Sequence, residues 1–394
     1  MTLFLFGHHL SFWNSKTGGM IMNLLRGTLK RVTCVIFCLI FLMSFTSVMG
    51  QTVSLSGKPG LQAARGYSPD RLYVPLVDAN RIAVVDLWTM QQTHTITGTD
   101  GEPIGIDTGW RSFGQDVIVV TNRSAQTIQM FDLDTETEID SYDFSFITDH
   151  EPGEVAYLSS DKIVFGYQNN GSGGLSTKRI SAWDPSEGTF STFGYALQEP
   201  HYIARSGYRG KFVALESNEN PAMGVAYDNQ LNQIATNTNI PTDYSGTVPP
   251  SPGYNITSLN NSGDRIFAGK NIYDQNFQLI TSLPEYSEPI FLSDGTIVAL
   301  SGDTGANFTT YTRMDPETGE ILTTGPLPTP VSDMPDVFLV LTGVPPIPIG
   351  GKKEVIYPDE NQVCAVDRAN NQIVFFKVEV FPFTSVSIPW DMLE

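Results

Sequence analysis

Arg71-Leu72-Tyr73-Val74, followed after a polar Asp78-Ala79-Asn80 by Arg81-Ile82-Ala83-Val84-Val85-Asp86, is the stretch that decides the fold. Two runs of β-branched and aromatic residues flank a cluster of turn formers, so the segment reads as a hairpin whose second strand ends on Asp. The same ending, two mostly apolar residues and then Asp, recurs at Met130-Phe131-Asp132, Ala182-Trp183-Asp184, Ala226-Tyr227-Asp228, Ile272-Tyr273-Asp274, Arg313-Met314-Asp315 and Ala365-Val366-Asp367. Successive Asp residues are 46, 52, 44, 46, 41 and 52 positions apart. A proline keeps step with each, at Pro59, Pro103, Pro152, Pro200, Pro252, Pro289 and Pro335, 22 to 32 residues ahead of its Asp. Two interleaved series of seven with bounded offsets require real repetition, and periods of this length belong to stacked or radial repeat architectures.

Each unit supplies a strand after the proline, two strands around a polar turn, and a fourth after the Asp. The second unit copies the first, with Val117 to Val120, Asn122-Arg123-Ser124, and Thr127 to Phe131. Turns such as Asp184-Pro185-Ser186-Glu187-Gly188 follow the marker, and its carboxylate is expected to cap them. Four short strands per unit predict an all-β fold, a seven-bladed β-propeller of four-stranded antiparallel blades. The blades are expected near 57–98, 99–145, 150–195, 198–245, 250–283, 286–325 and 333–380. In the last, Val337 to Leu341, Val355 to Tyr357, Val363 to Val366 and Ile373 to Val378 read as the four strands. Either Thr52 to Leu55 or the tail Phe381 to Pro389 could close the ring, and the reading favours a tail packed outside the last blade.

The first unit, and Val119-Val120-Thr121-Asn122 with Met130-Phe131-Asp132 in the second, resemble the YVTN-type propeller repeat. Unit seven matches it in part, and unit five departs most, with only Lys270-Asn271 between its second and third strands. The resemblance implies the seven-bladed fold. It implies little about function, because that family is functionally mixed.

The chain has 394 residues, 23 basic and 42 acidic, a net charge of −19. Four of the basic residues and none of the acids lie in the first 50 positions, so the remainder carries 19 − 42 = −23. Such a surface repels polyanions, which argues against nucleic acid and anionic membrane as partners. Positions 20–50 have the layout of a secretory signal: basic Arg26, Lys30 and Arg31, an apolar run from Val32 to Met43, and a small-residue exit before Gly50-Gln51. About 12 apolar residues fall short of the ~20 that span a bilayer, so no stable membrane insertion is expected after cleavage. Residues 1–50 read as this signal behind an upstream start-site extension, residues 51–394 as the propeller, and the product as a monomer, secreted to an extracellular or periplasmic space. Cys34 and Cys38 go with the signal, which leaves Cys364 as a buried thiol on a strand.

In a propeller the entry to each first strand and the turn between second and third strands meet on one face, around the channel mouth. The residues just before the repeat prolines are Lys58, Glu102, Glu151, Glu199, Ser251, Glu288 and Met334. Together with Asn122 and Arg123 from the second-to-third strand turn, Lys58, Glu102, Glu151, Glu199 and Glu288 are candidate ligand-binding residues. Converging carboxylates favour a counter-charge, so Glu102, Glu151, Glu199 and Glu288 are candidate ligands for a divalent cation such as Ca²⁺. His150 and His201 approach the same rim, and with Tyr202 and Arg205 they supply residue types for proton abstraction from an acidic sugar. His94, on an outer strand, reads as a surface residue.

Five Asn-x-Ser/Thr sequons, at Asn122, Asn170, Asn255, Asn260 and Asn307, are candidate glycosylation sites only in a host that glycosylates. These readings support a secreted binding or interaction protein for a small molecule, glycan or protein. The alternatives are an extracellular enzyme of lyase or lactonase type on the same face, or a structural surface protein.

Overall fold

The computed structural model describes residues 50–67, 70–87, 89–110, 115–146, 150–169, 177–198, 202–216, 221–241, 257–268, 271–283, 290–292, 295–301, 307–332, 337–340 and 362–378. Its described residues form seven four-stranded antiparallel sheets and no helix. Strand β1 (Thr52–Ser54) stands first in the chain and belongs to the last sheet. The first sheet is β2 (Ala64–Tyr67), β3 (Asp70–Leu76), β4 (Arg81–Asp86) and β5 (Gln91–Thr97), and the second is β6 (Pro103–Trp110), β7 (Asp116–Asn122), β8 (Thr127–Asp132) and β9 (Glu138–Asp143). The third is β10 (His150–Tyr157), β11 (Ile163–Asn169), β12 (Thr177–Asp184) and β13 (Thr189–Gln198). The fourth is β14 (Tyr202–Arg205), β15 (Lys211–Leu215), β16 (Ala222–Asp228) and β17 (Gln233–Ile240). The fifth is β18 (Thr257–Leu259), β19 (Arg265–Ala268), β20 (Asn271–Asp274) and β21 (Leu279–Ser282). The sixth is β22 (Ile290–Phe291), β23 (Ile297–Ser301), β24 (Asn307–Met314) and β25 (Ile321–Ser332). Strands β26 (Val337–Val340), β27 (Gln362–Asp367) and β28 (Gln372–Lys377) join β1 in the seventh. The fold is a seven-bladed β-propeller.

The middle strands explain why continuous apolar runs, rather than alternating ones, mark the repeat. Val117, Ile118, Val119 and Val120 are all fully buried, because each sheet is covered by a neighbour on both faces. Successive side chains point to opposite neighbours. Leu72, Val74 and Leu76 pack with Cys364, Val366, Ile373 and Phe375 of the seventh sheet, whereas Tyr73 packs with Ile106, Ile118, Val120 and Phe131 of the second. Cys364 is buried there and forms no disulfide.

All seven repeat aspartates cap turns. In six sheets the marker ends or directly follows the third strand, and its Oδ1 accepts backbone N–H groups of the turn to the fourth. The donors are Thr89 to Asp86, Asp134 and Thr135 to Asp132, Ser186 and Glu187 to Asp184, Gln230 and Asn232 to Asp228, Asn276 and Gln278 to Asp274, and Glu317 and Thr318 to Asp315.

The seventh sheet corrects two expectations. Its order is β26-β27-β28-β1, so the strand ending on Asp367 is second rather than third, and Asp367 caps the turn between second and third strands through the Asn370 N–H. β27 pairs directly with β26, which leaves no place between them for Val355 to Tyr357, a segment outside the described residues. Ring closure falls to the N-terminal strand: Thr52, Val53 and Ser54 pair with Val374, Ile373 and Gln372. The Leu55 N–H to Asn371 and the Phe375 N–H to Gln51 extend the ladder at both ends, and Val53 and Leu55 are buried in the seam with the first sheet. The tail from Phe381 and the signal region 1–49 lie outside the described residues.

Candidate functional site at the channel mouth

Three of the seven residues preceding a repeat proline fall within the described residues, and each sits against a turn between second and third strands. The Lys58 N–H donates to Asp78 Oδ1 at 2.7 Å, while its carbonyl accepts the Val77 N–H. The Glu102 N–H donates to Asn80 Oδ1 at 2.8 Å, and its carbonyl accepts the Arg123 N–H at 2.9 Å. Glu102 adopts φ of 49°, a left-handed conformation uncommon for a residue with a side chain, and these two bonds hold it there. Interlocking of blade entries with hairpin turns puts them on one face.

That interlocking brings Glu102, Arg123 and Glu151 together at the seam of the second and third sheets. Arg123 Nε lies 3.3 Å from Glu151 Oε2, and both side chains are about a quarter exposed, at 26% and 28%. No hydrogen bond forms from that Nε, so the pair is held by charge alone. Burial pushes the Glu151 carboxyl above the ordinary glutamate range; Arg123 opposes the rise and Glu102 adds to it. The arrangement is two carboxylates around one guanidinium, net negative and open to solvent. It can compensate a cation or accept hydrogen bonds from a ligand bearing N–H or O–H groups.

The other sequence candidates separate. Asn122 is fully buried, and its amide donates to Thr127 Oγ1 and Gln129 Oε1 inside the second sheet. It supports the turn that presents Arg123 and does not line the mouth. His150 is the first residue of β10, paired with Asn169, and Tyr202 begins β14, paired with Leu215. Glu199, His201 and Glu288 lie outside the described residues, as do Ser251 and Met334. Arg205 is held on the channel wall, where Asp107 on β6 takes its Nε at 2.5 Å and its Nη2 at 2.6 Å. Among the described residues no three His, Cys, Asp or Glu side chains gather as a metal site.

Asp107 was invisible to sequence reasoning, and it belongs to a lattice down the channel. The innermost strand of each sheet has one edge without a strand partner, so its inward N–H groups need acceptors. Side chains from neighbouring blades supply them. Gln62 Oε1 accepts from Ile106 and Val155, Asp107 Oδ2 from Tyr157, and Glu154 Oε2 from Ile203. Gly105 permits the close approach this needs, since a Cβ there would stand 2.6 Å from the Gly153 carbonyl oxygen. A polar residue two to four places after the repeat proline, as at Gln62, Asp107 and Glu154, was the available signal.

His94 is exposed on the outer strand, as expected of a surface residue, and it is also paired. Its Nε2 lies 2.5 Å from Glu136 Oε2, and Arg71 Nη1 lies 2.6 Å from Oε1 of the same carboxylate, so the first blade grips a turn of the second.

No family model and no curated protein matches this chain. Solved structures do. A Kuenenia stuttgartiensis hydrazine synthase chain superposes with a TM-score of 0.56 at 10% identity, covering 83% of this chain and 98% of that one. The Myceliophteria thermophila Cps50 (Swd1) β-propeller domain gives 0.55 at 11% identity, covering 84% and 100%. At such identities the likeness is one of fold.

Proposed function

We propose that this chain is a secreted, monomeric propeller of YVTN type that acts as a binding protein, taking its ligand at the channel mouth over the first three blades. The observation that carries this reading is the Glu102–Arg123–Glu151 cluster. Its polar groups come from two different sheets, stay partly exposed, and hold one carboxyl in an environment that disfavours its charge. A structural ion pair would be expected to lower that carboxyl instead. A ligand cation, or Ca²⁺ bridging to a glycan or protein, would relieve the excess negative charge.

The lyase reading is less favoured, because the guanidinium it would use on an acidic sugar is committed to Asp107. The strand repeats quoted above support the YVTN assignment, and the basic, apolar and small-residue succession in positions 20–50 supports export.

The test is a thermal-shift screen of residues 51–394 against Ca²⁺, Mn²⁺, Zn²⁺ and neutral and acidic oligosaccharides. At least one is expected to raise the melting temperature of the parent and to lose that effect in Glu102→Gln/Glu151→Gln. No shift in the parent would favour a structural role, and a shift that survives both substitutions would move the site elsewhere.

A further inference from the structure

From Asp132 to Asp161 the chain carries ten acidic residues and no Lys or Arg. Part of that charge has structural partners: Glu136 holds Arg71 and His94, Glu151 faces Arg123, and Glu154 accepts the Ile203 N–H. Asp134, Glu138, Asp140 and Asp143 form no ion pair among the described residues. The last three lie along β9, the outermost strand of the second sheet.

The same strand carries an aromatic corner. Tyr142 stacks parallel on Phe190 of the third sheet, with ring centroids 5.3 Å apart and 1° between planes. Phe146, just past the end of β9, meets Phe190 edge-on at 5.6 Å and 84°. Buried Trp183 backs Tyr142 at 5.9 Å. Phe146 is nevertheless 63% exposed, the most exposed large apolar side chain among the described residues. Its position is fixed, because Asp143 Oδ1 accepts the Ser145 N–H and Gln126 accepts the Phe144 N–H, which ties down the turn that presents it. Asp140 pairs with Met130 and Tyr142 with Ile128, both of which pack toward the third sheet, so Asp140 shares Tyr142's face; a bulge between them and Glu138 turns Glu138 toward the first sheet, where it accepts from Gln129 Nε2.

Aromatic faces attract cations through the ring quadrupole, and the Asp140 carboxylate beside them, with the net negative charge of the surrounding stretch, adds to that attraction. An anionic partner would be repelled from this stretch. We propose that the Tyr142–Phe190–Phe146 corner, framed by Asp140 within this acidic stretch, is a second site on the outer seam of the second and third blades that docks a cationic peptide segment, with an Arg or Lys side chain laid against Phe146. The site is separate from the channel mouth and does not depend on what binds there.

Calorimetric titration of residues 51–394 with an Arg-Gly-repeat hexapeptide tests it, against the same peptide with Glu for Arg and a neutral β-1,4-glucan hexasaccharide. The Arg peptide is expected to bind more weakly at 0.5 M than at 0.05 M salt and to lose about fivefold or more in affinity with Phe146→Ala and with Asp140→Asn. Glu320→Gln, an exposed single-charge change on the sixth blade, is the control and should leave affinity within about twofold. Phe146 is mostly solvent-facing, so its removal spares the core, and far-UV circular dichroism checks the variant's fold. Absence of peptide binding overturns the proposal, as does equal affinity in Phe146→Ala. Equal weakening by Glu320→Gln reduces the effect to bulk charge, and selective binding of the hexasaccharide makes the corner a glycan platform instead.

Discussion

Asp107 on the innermost strand of the second blade holds Arg205 on the innermost strand of the fourth in a two-point pair, at 2.5 and 2.6 Å, while also accepting the Tyr157 N–H of the third. One carboxylate thus ties three blades across the channel wall. The guanidinium delivers its planar fork to both oxygens, the geometry in which an Arg–carboxylate pair is strongest.

Replacing that carboxylate by an amide leaves a part-buried guanidinium without its counter-charge, and one amide oxygen cannot serve both Arg205 and the inward Tyr157 N–H. Asp107→Asn is expected to cost about 3–5 kcal/mol, the range for breaking a buried pair on one side. Urea denaturation measures it as a lower midpoint with an unchanged slope. Asp107→Leu combined with Arg205→Met should recover part of the loss, because no unpaired charge then remains.

Burial pushes the Asp107 carboxyl up, but Arg205, with Arg209 and the Tyr157 N–H, more than offsets it, so the net shift is below the ordinary aspartate value. A depressed folded value contributes stability above the unfolded pKa of about 3.9, and that stability is lost as pH falls through the folded value. Melting temperature should therefore drop steeply below about pH 4 in the parent. In Asp107→Asn, which starts lower, the drop should be shallower.

Glu151 has the opposite sign. A carboxyl raised by the fold binds its proton more tightly in the native state, so its ionisation weakens the fold as pH rises through the folded value. Glu151→Gln should raise the melting temperature at pH 7 and leave it unchanged below pH 4, as scanning calorimetry at the two pH values would reveal.

Ring closure rests on three residue pairs of the N-terminal strand, with Val53 and Leu55 sealing the first and seventh blades. Val53→Asp places an unpaired charge in that seam and should destabilise by ~3 kcal/mol or more. Exposed Ser54→Asp, next in sequence, should change stability by less than about 0.5 kcal/mol.

The repeat made most of the fold legible, because turn capping by Asp and two-sided burial of the middle strands leave the same mark in each unit. Closure was not legible, since Thr52–Ser54 is too short to carry a period. The seventh unit kept its Asp while shifting it from the third strand to the second, so its marker misnumbered the strands. Glu102 and Glu151, each just before a repeat proline, both lie against Arg123. Turn position assigned Asn122 to the mouth and residue type assigned Arg205 there, but Asn122 is buried in a strand and Arg205 is held by a partner distant in sequence. Side-chain pairing across blades, as between Asp107 and Arg205, has no local pattern to read.

Hydrogen–deuterium exchange of residues 51–394, with and without the ligand that shifts the melting temperature, tests the channel-mouth assignment most directly. Slowed exchange is expected in the 122–126 turn, around Glu102 and at the start of β10, with the outer strands unchanged. Protection confined to segments away from these three would contradict the assignment.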